Sequence, residues 1–94
     1  MDLQLVCTDL GRSPEVKTLL GRATARTELS DGIAVDFTPD DATARTVLEF
    51  VLAERCCCAH FVYEIRFTPE AARLTLVVRA SGDYLEALKA MYGP

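Results

Sequence analysis

The chain has 94 residues, of which 50% are hydrophobic and 26% charged, and its formal net charge is −4. That length fits one domain over residues 1–94, and the composition excludes a largely disordered chain, which has too few apolar side chains to offset the entropy of folding. The negative charge disfavours nucleic acid and anionic membranes as partners. No apolar run approaches the roughly 20 residues of a membrane helix, and no secretory signal begins the chain, so we expect a cytoplasmic protein.

The first 37 residues predict an edge strand, a helix and a hairpin. Apolar residues alternate with polar ones from Leu3 to Cys7, which is typical of a short strand. Ser13-Pro14-Glu15 predicts a helix start, because serine is a good N-cap and proline suits the first turn. Asp31-Gly32 lies between two extended runs and is typical of a tight hairpin turn. The expected elements are a helix at about 13–22 and strands at 24–29 and 33–37.

The remaining residues predict a long helix, a second hairpin and a last helix. Asp40 or Asp41 would cap the long helix, which we expect over about 40–59. Its core stripe, at spacings of three and four, is expected to contain Ala44, Val47, Leu48, Val51 and Cys58. Alternation predicts strands at 61–67 and 73–80, with Phe67 among the inward residues of the first. The last helix begins at 81–83 and ends at Gly93-Pro94.

This order of elements predicts an α+β fold. Two hairpins would form a four-stranded antiparallel sheet, with three helices mainly on one face. The other face carries mixed charges, which is typical of a solvated surface. Val62 and Val77 fall on that same face, so part of it is a candidate homodimer surface.

The four cysteines are Cys7, Cys56, Cys57 and Cys58, three of them consecutive. Neighbouring cysteines rarely meet the dihedral requirement of a disulfide, so this is not the scaffold of a small secreted protein. We expect reduced thiols. Such thiols serve as small core residues, as soft metal ligands or as nucleophiles.

Glu54 is the second unusual residue of the long helix. At 100° per residue it falls on the core-facing stripe, where a carboxylate is costly unless it is paired, hydrogen-bonded or bound to metal. It precedes Cys57 by three residues and Cys58 by four, so both share its helix face. On this helix Cys58 should be buried, Cys57 should lie at a boundary and Cys56 should be the most exposed.

These residues form a candidate metal-ligand set if the N-terminal segment folds back onto the end of the long helix. Cys7, Cys57 and Cys58 would then supply three sulfurs, with Glu54 as the fourth ligand or as an orienting group. His60 and Cys56 are auxiliary candidates. Such a soft set suits zinc, copper(I) or mercury(II). The alternative is that the cysteines are ordinary buried residues, since cysteine is among the most buried residue types.

The sequence contains no motif that is typical of an enzyme active site. The five glycines are scattered and form no phosphate-binding loop, and the chain has a single histidine and no glycine-framed serine. We therefore expect no enzyme activity and no organic cofactor.

The stretch from Glu54 to Ile65 resembles a motif of small uncharacterised bacterial proteins, in which a glutamate is followed three residues later by Cys-Cys and an aromatic-rich strand. Those proteins are often encoded near mercury-type, heavy-metal resistance regulators. The resemblance implies the handling of a thiophilic metal through Cys7, Glu54, Cys57 and Cys58. His60 stands where the family usually has phenylalanine, and Cys56 is an extra thiol.

The sequence thus favours a small cytoplasmic accessory protein that binds a soft or heavy metal ion through thiolates. Two alternatives remain open. One is a dimeric interaction module without metal, and the other is a thiol redox sensor.

Overall fold

A computed structural model of the chain describes residues 13–57, 60–70 and 72–92, with the backbone alone at 13–15, 56 and 57. In this part of the chain the elements are α1 (Ser13–Leu20), β1 (Ala25–Leu29), β2 (Gly32–Phe37), α2 (Asp41–Cys57), β3 (Val62–Thr68), β4 (Arg73–Arg79) and α3 (Asp83–Tyr92). The predicted α+β class is confirmed. The expected N-terminal strand, the Gly93-Pro94 stop and the place of Cys58 on the helix stripe lie outside the described residues.

The four strands form one antiparallel sheet in the order β1-β2-β4-β3. The two hairpins meet through β2 and β4, which pair from Gly32↔Arg79 to Phe37↔Leu74. β4 therefore lies inside the sheet, and its alternate residues Leu74 and Val78 are fully buried. Within the described residues, β1 and β3 are the edges of the sheet.

The core lies between one face of this sheet and the helices, as predicted. Phe50 of α2 and Tyr92 of α3 meet edge to face, with ring centroids 6.4 Å apart. α3 is also tied to the β1 edge, because Arg26 donates a 2.8 Å hydrogen bond to the Tyr92 carbonyl oxygen. The other core side chains are Val16, Leu19, Ile33, Val35, Phe37, Val47, Val51, Phe61, Leu74, Leu76, Val78, Ala80 and Leu88. No described helix is both long enough and apolar enough to cross a membrane.

The first hairpin turn differs from the expected one. β1 ends at Leu29 and β2 begins at Gly32, so Ser30 and Asp31 are the turn residues and Gly32 is already paired within the sheet. The reason for a glycine at this position is the close approach of β4. A Cβ on Gly32 would collide with the Val78 carbonyl oxygen. The Asp-Gly pair therefore indicates the correct turn region, but the glycine is required by its contact with β4 and not by the conformation of the turn.

α2 is capped by Asp40, one of the two predicted caps. The Asp40 carboxylate accepts a 2.8 Å hydrogen bond from the Thr43 backbone N–H and a 3.0 Å bond from the Thr43 hydroxyl. The Thr43 backbone bond, followed by the hydroxyl bond, lowers the pKa of the Asp40 carboxyl. The expected stripe is partly wrong, because Leu48 is 47% exposed. α2 packs against β3, which is an edge strand. The side of α2 that carries Leu48 therefore extends beyond the sheet instead of packing on another described strand. The buried positions are Thr43, Val47, Phe50, Val51 and Glu54.

Two sheet residues also differ from the sequence expectation. Phe67 lies on the helix-facing side of β3, but it is 61% exposed because β3 is an edge strand. Val77 faces the opposite side and is only 2% exposed, so it offers no surface to a partner. Of the two valines expected on a dimerising face, only Val62 is accessible, at 62%.

Candidate functional site

The candidate site begins at Glu54, in the last two turns of α2. Glu54 is 0% exposed, as its place on the helix stripe predicted, and it is among the largest fully buried side chains of the described residues. It takes part in an interaction within the fold. A fully buried carboxylate is stable only where hydrogen bonds or positive charge compensate it. The fold thus commits a carboxylate to the interior at the end of the long helix.

The cysteine cluster begins two residues after this carboxylate, beyond Arg55. The helical backbone continues through Cys57, which places the Cα of Cys57 about one turn beyond Glu54 on the same side of α2. Cys56 lies in the same last turn. The side chains of Cys56 and Cys57, and the whole of Cys7 and Cys58, lie outside the described residues. The convergence of the four sulfurs therefore stays a prediction.

His60 and Phe61 are the first described residues after α2. The exposed His60 ring stacks on Tyr84, with centroids 3.9 Å apart and an interplanar angle of 17°. Phe61, the next residue, is buried in the core and contacts the Tyr63 ring at 6.4 Å. The segment after the cysteines is thus anchored on one side in the core and on the other against the first turn of α3. Tyr84 was missed by sequence reasoning, because its only signal was an aromatic residue at a helix start.

Charged side chains of both signs lie in the helix turns near this end of α2. The C-terminus of a helix carries the negative end of its macrodipole. The first turn of α3, on which His60 stacks, contains Asp83 and Glu86. The basic residue of the last turn of α2 is Arg55, which is exposed. Arg55 and the two acidic residues of α3 thus each lie at the helix end whose macrodipole they offset.

The described residues alone do not complete a metal site. Over 13–57, 60–70 and 72–92 no group of three or more His, Cys, Asp and Glu side chains is close enough to hold a metal ion. Glu54 and His60 are the two predicted site residues whose side chains are described. Glu54 is buried and His60 is exposed, and neither belongs to a group of three described metal-ligating side chains.

A separate cluster of charges lies on the open face of the sheet. Glu64 accepts hydrogen bonds from Arg66 Nε at 2.8 Å and from Arg79 Nη1 at 3.2 Å, and Arg79 also meets Asp31 at 3.4 Å. The Arg66 bond, with a smaller contribution from Arg79, lowers the pKa of the Glu64 carboxyl. The same bond raises the pKa of Arg66. This is the solvated, charge-mixed face that the sequence predicted.

No protein-family model matches this chain, and no curated protein or solved structure is significantly similar to it. The resemblance to small bacterial proteins with a Glu-x-x-Cys-Cys motif therefore stays a prediction.

Proposed function

We propose that this protein binds a soft metal ion through thiolates at the C-terminal end of α2. The observation that supports this most is the complete burial of Glu54 one helical turn before the cysteine cluster. Glu54 precedes Cys57 by three residues and Cys58 by four in the sequence, so it would offer an oxygen ligand next to the soft sulfur ligands that the proposal assigns.

The proposal assigns Cys7, Cys57 and Cys58 as ligands, and Glu54 as the fourth ligand or as the group that orients a ligand. Cys56 and His60 are auxiliary. The ring face of His60 stacks on Tyr84, and this contact does not block metal binding, because imidazole binds metal through a nitrogen in the plane of the ring.

The chemistry of the proposed ligands limits which metal ions the site would bind. Thiolates prefer zinc, copper(I) and thiophilic heavy metals such as mercury(II), whereas calcium and magnesium prefer oxygen. Cysteine must lose its proton to bind, so uptake should release protons and weaken as the pH falls. We assign the protein to a reducing cytoplasm, where thiols stay available, and to metal capture or buffering rather than catalysis.

The test is metal titration of the full chain, purified anaerobically under reductant. We expect about one Zn²⁺ per chain by elemental analysis after gel filtration, and a higher thermal midpoint with Zn²⁺, Cu⁺ or Hg²⁺ than without. The double variant Cys57→Ser, Cys58→Ser should lose both effects. Cys56→Ser, which removes one thiol from the same cluster, is the matched control and should keep most of the binding.

Two results would contradict the proposal. An unchanged thermal midpoint with all three metals would leave a protein without a metal site and favour an interaction module. A Cys7 disulfide that forms reversibly and depends on reductant, together with no retained metal, would favour a redox sensor instead.

A further inference from the structure

The exposed large apolar side chains of the described residues are concentrated at one edge of the sheet. Val62 and Phe67 of β3 are 62% and 61% exposed, and Leu48 and Leu52 of α2 are 47% and 44% exposed. Leu48 lines an open groove of about 230 Å³ together with Ile65 and Phe67. Tyr84 is the remaining member of this exposed set. Apolar side chains clustered in this way mark an interaction surface rather than scattered exposure.

This apolar cluster borders an edge of β3 that no other described strand covers. β3 pairs with β4 along all seven of its residues, and no other described strand pairs with its second edge. Proteins usually block such edges with short strands, charged side chains, prolines or bulges, because the free N–H and C=O groups are a template for another strand. The charges of β3, Glu64 and Arg66, are of opposite sign, so they do not repel a second copy of the strand in every register. The pairing of β3 with β4 is continuous from Val62↔Arg79 to Thr68↔Arg73, which is typical of a regular strand without a bulge.

The charges of Glu64 and Arg66 on β3 are complementary to those of a second copy of the same strand. If a second copy of β3 pairs antiparallel about a two-fold axis at Ile65, Glu64 lies opposite the partner's Arg66, and Arg66 lies opposite the partner's Glu64. On the helix-facing side Tyr63 lies opposite the partner's Phe67. Shifting the axis to Glu64 or to Arg66 would place two like charges directly opposite each other, which is unfavourable. A two-fold axis perpendicular to the sheet keeps each side chain on its own face only if it passes through a residue position. Of the three central positions, Ile65 alone avoids a pair of like charges, so it is the favoured centre.

The other sheet edge has similar charges but does not offer the same surface. In β1, Arg26 and Glu28 are also two residues apart, yet both are engaged by α3. Arg26 donates to the Tyr92 carbonyl oxygen at 2.8 Å, and Glu28 binds Lys89 at 2.9 Å. None of the exposed large apolar side chains lies on β1. On β3, by contrast, Arg66 is held only by Glu64 of its own strand among the described contacts, and both are solvent-accessible.

We infer that the β3 edge is a self-association surface, through which two copies of this chain form a continuous eight-stranded antiparallel sheet centred on Ile65. The occupant is a second copy because the strand is charge-complementary to itself and because apolar side chains flank it on both faces. The inference is argued from the residues of β3 and α2 and does not depend on the proposed metal function.

The test is sedimentation velocity of the full chain over a concentration series, with reductant and chelator present so that neither disulfides nor metal can bridge two copies. We expect a monomer–dimer equilibrium. Arg66→Glu places Glu64 opposite an acidic residue in both symmetric pairs, and it should weaken the dimer at least about tenfold. Lys17→Glu on α1 makes the same change in net charge away from β3 and is the matched control, expected to leave the equilibrium unchanged.

The double variant Glu64→Arg, Arg66→Glu restores opposite charges across the axis and should recover the dimer to within about threefold of the original chain. Thermal unfolding of each variant excludes loss of the fold, since Glu64 also binds Arg79. In hydrogen exchange, the amides of 62–68 should become more protected as concentration rises, whereas those of 25–29 should not. A monomer throughout the high micromolar range would overturn the inference, as would equal dimerisation of Arg66→Glu and Lys17→Glu.

Discussion

Replacing Gly32 with alanine tests the junction that joins the two hairpins. The new methyl group would collide with the Val78 carbonyl oxygen, and backbone atoms cannot rotate away as a side-chain end can. Overpacking of this kind costs about 1–3 kcal/mol. Moving β2 away from β4 would also strain the 3.0 Å hydrogen bond from the Ala80 N–H to the Asp31 carbonyl oxygen, which is worth about 1 kcal/mol. We therefore expect a loss of about 2–4 kcal/mol.

Thermal unfolding by circular dichroism measures this loss. A domain of this size loses about 4–8 °C per kcal/mol, so the midpoint should fall by at least about 8 °C. Gly21→Ala is the matched control, because a Cβ there would make ordinary contacts of 3.4 and 3.5 Å with backbone oxygens. Reduced freedom of the unfolded chain should make that variant slightly more stable, by about 0.4–1 kcal/mol. A Gly32→Ala variant that melts within about 2 °C of the original chain would refute the β2–β4 register.

Three further predictions concern the helices. Glu54→Gln should lower the free energy of unfolding by about 1–3 kcal/mol in urea, because it weakens the hydrogen bonding of a buried carboxylate, whereas the exposed Glu49→Gln should change it by less than about 0.5 kcal/mol. Equal effects would contradict the burial of Glu54. The pKa of Asp40 is lowered in the folded chain, so its stabilising effect is present above pH about 4 and is lost as the pH falls through the folded pKa. Asp40→Asn should therefore reduce the fall of the thermal midpoint at acid pH. Leu88→Ala should lower the free energy of unfolding by about 2–5 kcal/mol in the same urea assay, since Leu88 is fully buried. A smaller loss would contradict the packing of α3 against the core.

The sequence predicted those features that depend on local pattern. Alternating strands, the Asp40 cap and the burial of Glu54 follow from periods of 2 and 3.6 residues and from helix-end chemistry, which neighbouring residues determine. The helix-facing side of the sheet was also correctly assigned, because inward residues of β2 and β4 are large and apolar.

The features that were missed depend on strand order. Which strand becomes an edge is decided by the pairing of β2 with β4, whose residues are about 40 positions apart in sequence. Leu48 and Phe67 look like core residues by spacing, yet both are exposed because β3 lies at the sheet edge. Gly32 was assigned to the turn because its contact with β4 is not visible from its neighbours in the chain.

The central claim is that thiolates supply most of the ligands of a metal at the end of α2, with Glu54 as the one oxygen ligand or as an orienting group. X-ray absorption spectroscopy of the zinc-loaded protein tests it most directly, because zinc–sulfur distances of about 2.3 Å are distinct from zinc–oxygen and zinc–nitrogen distances of about 2.0–2.1 Å. We expect a shell of about three sulfurs that loses one in Cys7→Ser and two in the variant with Cys57→Ser and Cys58→Ser. A shell of oxygen and nitrogen alone, unchanged by these substitutions, would contradict the claim.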